Sequence, residues 1–126
     1  MREHPNLTLI HAYNDAWIDG DLATAASYLA DDVTFDSPNQ HERSRAAFMT
    51  VLTRFAPRVS GPMAIISEFA DDGEVLMLYD LPIGPLGRIR CCDHFTIKGG
   101  KIQANMLLFD TAPFLRVQAA PPPPTE

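Results

Sequence analysis

No stretch of this chain stays apolar for the ~20 residues that a bilayer-spanning helix requires. The opening MREHPNLTLI also lacks a charged-then-apolar leader pattern, because its apolar part is short and interrupted. Membrane partners are therefore not expected, and cytoplasmic residence is the expectation. Basic charge is equally thin: Lys and Arg number 10 against 16 Asp and Glu, for a formal net charge of −6. Arg43, Arg45, Arg54 and Arg58 are scattered rather than gathered. A nucleic-acid surface draws most of its affinity from clustered cations on phosphate, so no nucleic-acid partner is expected. Cysteine is limited to the neighbours Cys91 and Cys92. Adjacent strand residues point to opposite faces, so a disulfide between these two would demand distorted geometry. No Cys–His spacing resembles a zinc site and no nucleotide-binding motif is present. Neither metal nor cofactor is expected.

What remains is an ordinary globular composition. At 126 residues, 46% hydrophobic and 21% charged, the chain suits one domain with its own core. A first helix is predicted from Pro5 or Asn6, with Ile10, Tyr13 and Trp17 at helical spacing and Gly20 ending it. Asp21 is placed to cap a short second helix whose inner side carries Leu22, Ala25, Ala26 and Leu29. A brief strand follows, Val33 to Ser37, stopped by Pro38. A third helix carries Phe48, Val51, Leu52 and Phe55 on one stripe, and Pro57 closes it.

The period then changes. MAIISEFA, EVLMLYDLP, RIRCCDHFTI and KIQANMLLFDT read as four strands separated by the turn signals DDG, PIGPLG and KGG. Short connections imply antiparallel hairpins. Helices first and a meander afterwards define an α+β class, with helices on one face of a sheet. The C-terminal APPPPTE reads as an extended, solvated tail, so the domain is expected over residues 1–117 and the tail over 118–126.

Two strands carry more than fold information. In GRIRCCDHFTI, Ile89, Cys91, Phe95 and Ile97 share a face with Asp93. A carboxylic acid in an apolar row is costly to ionise unless paired. Its pKa should rise, leaving it uncharged at neutral pH and able to donate a hydrogen bond. Pairing with an arginine, or backbone N–H bonds at a bulge, would be the purely structural alternative. In the last strand, Ile102, Ala104, Met106 and Leu108 form one face while Asn105, Leu107 and Phe109 form the other. Both are largely apolar, although one sheet face alone can cover the helices. A second copy packed sheet to sheet on the outer face is the expected partner.

The run YNDAWIDGDLATAASYLADDVTFDSP, Tyr13 to Pro38, resembles the SnoaL-like and ketosteroid-isomerase-like families of the nuclear-transport-factor-2-like fold. The helix–DGD–helix–LADDVTF–P order and the closing GGKI…FD carry the likeness across nearly the whole chain. The resemblance implies a conical half-barrel, a curved antiparallel sheet wrapped around three N-terminal helices, enclosing one apolar pocket and usually dimeric. It also implies a tyrosine on the first helix, matched by Tyr13, and a late-strand aspartate, matched by Asp93. Where those isomerases place a general-base aspartate before the proline, this chain has Ser37. Limonene epoxide hydrolases resemble the chain too. Of their Asp–Arg–Asp set, Asp80 matches one acid, whereas Leu78 and Leu107 stand at the other two positions.

These readings combine into an expected site. Tyr13 and Asp93 would polarise the carbonyl of a small, polyketide-like molecule, and Asp80 or Asp36 would move the proton. Trp17, Phe35, Ser37, Phe48, Asn105, Leu107 and Phe109 would wall or contact the substrate. The expected function is a cofactor-free isomerase or cyclase, with a non-catalytic binder of small hydrophobic molecules as the alternative. An open cavity with a second carboxylate beside Asp93 favours catalysis; one without it favours binding.

Overall fold

The computed structural model describes residues 3–119. Helix α1 spans Pro5–Ile18, with His4 Nδ1 accepting the Asn6 N–H at its start. Helix α2 spans Leu22–Ser27, capped by Asp21, whose carboxylate accepts the Thr24 N–H at 3.2 Å. Strand β1 covers Leu29–Asp36, starting ahead of the expected Val33, and strand β2 is the brief His41–Glu42. Helix α3, Arg45–Phe55, is capped by Ser44 and runs into a 3₁₀ turn at Ala56–Arg58 that contains Pro57.

The second half is the expected meander. Strands β3 (Ala64–Ala70), β4 (Glu74–Pro82), β5 (Arg88–Lys98) and β6 (Lys101–Phe109) pair antiparallel in sequence order. Gly99 and Gly100 both hold positive φ, the backbone that a two-residue hairpin requires, so Lys98 faces Lys101 across the turn. β1 joins β6 in parallel and gives the order β2-β1-β6-β5-β4-β3. The sheet is therefore not wholly antiparallel: the chain returns to the sheet through α3 and the meander, and the first strand lies along the last.

A bulge at Gln103 changes the phase of β6, since Thr96 faces Ala104 while Ile97 faces Ile102. Ile102 consequently points inward and is fully buried, whereas Met106 and Leu108 point outward. The sequence reading had put all three on one face; the extra residue explains the difference.

A final helix α4, Ala112–Ala119, was not expected. It takes in residues 118 and 119 of the supposed tail, and the APPPPTE segment lies outside the described residues. No helix among the described residues is long and apolar enough to cross a membrane. The core lies between the helices and the concave face of the sheet, where Ile10, Leu29, Val33, Phe48, Val75, Met77, Ile89, Phe95 and Ile102 are fully enclosed. Phe35 stacks on Phe48 at 4.5 Å between centroids and 16° between planes, a contact worth about 1 kcal/mol beyond its area burial.

Candidate functional site

Strand alternation builds the site. On β5 it turns Ile89, Cys91, Asp93, Phe95 and Ile97 inward, and on β4 it turns Val75, Met77, Tyr79 and Leu81 inward. Asp93 faces Met77 and Cys91 faces Tyr79, so Tyr79 is the diagonal neighbour of Asp93, within reach of an aromatic side chain. The Tyr79 hydroxyl donates to Asp93 Oδ2 at 2.5 Å. From the other side, β6 brings Asn105 opposite Phe95, and its Nδ2 donates to Asp93 Oδ1 at 3.0 Å. Both carboxyl oxygens thus accept from the protein.

That arrangement sets the charge of Asp93. The residue is 6% exposed, and burial raises its carboxyl to about 6, while the Tyr79 and Asn105 donors hold it down. The carboxylate form therefore predominates at neutral pH, contrary to the expectation of an uncharged acid. The apolar row raises the pKa, but two donated hydrogen bonds favour the anion. The phenols stay protonated: burial, then the Asp93 charge, raises both Tyr13 and Tyr79 well above the usual phenol range. The Cys91 thiol is pushed up to about 12 by burial and by Asp93, which leaves it an inert wall.

Tyr13 stands near Asp93 without bonding to it. Its ring meets Phe95 edge-on at 6.1 Å. No buried side-chain oxygen or nitrogen among the described residues lacks a partner, and no hydrogen bond holds the Tyr13 hydroxyl, so this O–H opens into the cavity. The phenol that donates to the Asp93 carboxylate is that of Tyr79. Asn14, Asn39, Gln40, Arg58 and Tyr79 also line the cavity, and the sequence reading placed none of them at the site. EVLMLYDLP is apolar on both faces, so Tyr79 is identified as inward only once pairing with β5 fixes the phase of β4. Asn14 is buried on α1, its Oδ1 accepting the Trp17 indole N–H at 3.0 Å; no sequence signal marked it.

These residues enclose an open cavity of about 300 Å³. Tyr13, Trp17, Phe35, Ser37, Phe48, Asp93, Asn105, Leu107 and Phe109 all line it. Ser37 is occupied by its own turn, its Oγ accepting the Gln40 N–H at 3.1 Å and donating to Asn39 Oδ1 at 3.2 Å.

The two candidate bases are elsewhere. Asp80 is on the outer face, because Tyr79 and Leu81 take the inward positions of β4, and it binds Arg90 through both oxygens. Asp36 also points away from the cavity, held by His41 Nδ1 at 2.8 Å and Arg43 Nη2 at 2.9 Å. These partners lower both carboxyls below the usual range, and neither lines the cavity. Asp93 is the one carboxylate in the cavity wall among the described residues. The Asp–Arg–Asp arrangement of epoxide hydrolases is likewise not formed, with Leu78 outward beside Asp80 and Leu107 in the wall.

A half-open α+β cone with one apolar, aspartate-bearing cavity defines the class. The SnoaL-like domain family matches residues 10–105, and the chain belongs to it. Among solved structures, a protein of Kribbella flavida DSM 17836 superposes with TM-score 0.83 at 27% identity, covering 89% of this chain and 92% of that one. An LEH-like epoxide hydrolase of M. tuberculosis gives 0.71 at 26%, covering 86% and 85%. A candidate SnoaL-like polyketide cyclase of Shewanella putrefaciens CN-32 gives 0.78 at 17%, covering 93% and 88%. The conical half-barrel of the nuclear-transport-factor-2-like fold is thus the fold of this chain. No curated protein matches it by sequence.

Proposed function

We propose that this protein is a cofactor-free enzyme that moves a proton on a small, mostly apolar, carbonyl-containing molecule, in an isomerisation or cyclisation. The observation carrying this reading is Asp93: a buried carboxylate at the cavity wall whose pKa of about 6 lies close to working pH. Asp93 takes the proton from the carbon beside the carbonyl. The protonated Tyr13 hydroxyl donates to the carbonyl oxygen as negative charge develops there. Tyr79 and Asn105 keep the carboxylate aimed and leave each oxygen a free lone pair. The similarity to the candidate polyketide cyclase of Shewanella agrees with chemistry on activated carbonyl compounds.

The test uses a panel of β-keto esters and cyclic enones in D₂O, read by loss of the acidic C–H signal in proton NMR. The chain accelerates exchange on at least one member, Asp93→Asn slows it by about 10²–10⁴-fold, and Asp80→Asn leaves it unchanged. Equal exchange by Asp93→Asn contradicts the assignment. A second reading, binding without turnover, is favoured by the lack of a second carboxylate in the wall among the described residues. It predicts saturable ligand binding with no exchange above buffer.

The same reading extends to assembly. Phe69, Leu76, Met106 and Leu108 stand on the outer sheet face, at 44–70% exposure. Phe69–Leu76–His94–Met106 forms one continuous register row. Lone soluble domains seldom leave such a row in water, and a second copy placed face to face covers it with itself.

A further inference from the structure

The rim of the cavity differs from its floor. Floor and walls are buried and mostly apolar, and the charge there is the Asp93 carboxylate. Asn39, Gln40 and Arg58 are the exposed polar side chains of the cavity lining among the described residues. Among the described residues Arg58 is the one cationic side chain lining the cavity, and no carboxylate there pairs with its guanidinium. Arg43, Arg45 and Arg90, by contrast, are each engaged by an aspartate. Arg58 is carried on the short 3₁₀ turn at the end of α3, whose Pro57 stiffens the backbone behind it. Asn39 Oδ1 already accepts from Ser37, so its amide N–H₂ remains free to donate.

From this we infer that the ligand of the cavity carries a carboxylate, seated on the exposed Arg58 guanidinium of the lining, with its apolar, carbonyl-bearing end pointing inward. The direction is fixed from both ends. A guanidinium presents a planar fork that matches a carboxylate, while the anionic Asp93 repels a second negative charge from the floor. In a chain of net charge −6, an exposed cation in the lining also gives an anionic ligand one attractive point on a surface that otherwise repels it. This inference rests on the proposed function for the inward end of the ligand and adds the class of the outer end.

The test compares 4-oxo-4-phenylbutanoate with its methyl ester by isothermal titration calorimetry at neutral pH, on the wild-type chain and on Arg58→Gln. Wild type should bind the acid about fivefold to tenfold more tightly than the ester, a modest ratio because the rim is wet. Arg58→Gln should lose that preference while keeping its affinity for the ester. Raising salt should weaken acid binding and leave ester binding unchanged. An ester bound as tightly as the acid by wild type, or a preference surviving in Arg58→Gln, overturns the inference. Binding of neither probe to wild type contradicts the cavity reading itself, so the two failures are distinct. An Arg58→Lys variant keeps charge without the fork and should retain part of the preference; a full loss there, with binding of the ester intact, argues that geometry rather than charge selects the acid.

Discussion

Asp93→Asn should change how stability depends on pH, and the size of the effect follows from the structure. The folded carboxyl is raised from its ordinary 3.8 to about 6, chiefly by burial. The unfolded chain returns the group to water and to its ordinary range. Between those two values the native state still holds a proton that the unfolded state has released. The stability contributed by this group is therefore complete below about pH 4 and is lost as pH rises through 6. A gap of about 2 pH units, at 1.36 kcal/mol each, corresponds to roughly 3 kcal/mol. Asparagine is neutral throughout and removes this slope. Its single amide oxygen can accept from Asn105 or from Tyr79 but not keep both bonds, a cost that does not vary with pH. The absolute stability of the variant is thus not the informative quantity; its change relative to wild type is. Urea unfolding from pH 3 to pH 7.5 should show the variant gaining roughly 3 kcal/mol on wild type across that range. Parallel stability curves would refute the reasoning, because they would mean that Asp93 ionises as easily inside the fold as outside it.

Tyr79→Phe removes one of the two donors that favour the Asp93 anion, so the carboxyl should titrate above 6; carboxyl carbon NMR reads the shift, expected at about 1–2 pH units for a hydrogen bond to a charged group. Phe48→Ala opens the stacked Phe35 pair and a fully buried site, and should cost about 3–5 kcal/mol in urea denaturation. Met106→Lys places a charge in the exposed Phe69–Leu76–His94–Met106 row of the sheet; light scattering should show a dimer for wild type and a monomer for the variant, while the cavity and its ligand binding are unaffected.

Most of the architecture was legible because its signals are local. Periodicity marked α1 and α3, caps marked α2, and turn glycines and alternation marked the meander. Alternation along β5 was enough to turn Asp93 inward. Errors came where a strand's phase depends on something other than its own pattern. EVLMLYDLP is apolar at nearly every position, so inward Tyr79 and outward Asp80 could not be told apart until pairing with β5 fixed the register. One bulged residue, Gln103, moved Ile102 to the other face. Asp36 looked available as a base, yet β2 brings His41 and Arg43 onto it, and a two-residue strand leaves almost no trace in sequence. The charge of Asp93 needed the two donors, which lie on neighbouring strands and are set by diagonal pairing rather than by anything within GRIRCCDHFTI.

The claim on which the rest stands is that a buried carboxylate in the cavity wall changes charge near pH 6. Labelling the aspartate carboxyl carbons and following Asp93, assigned by its absence in Asp93→Asn, measures this directly. The Asp93 carboxyl should titrate with a midpoint near 6 in the ligand-free chain. A midpoint within the ordinary aspartate range, about 3.5–4.5, would contradict it and leave the SnoaL-like cavity without a proton acceptor suited to neutral pH.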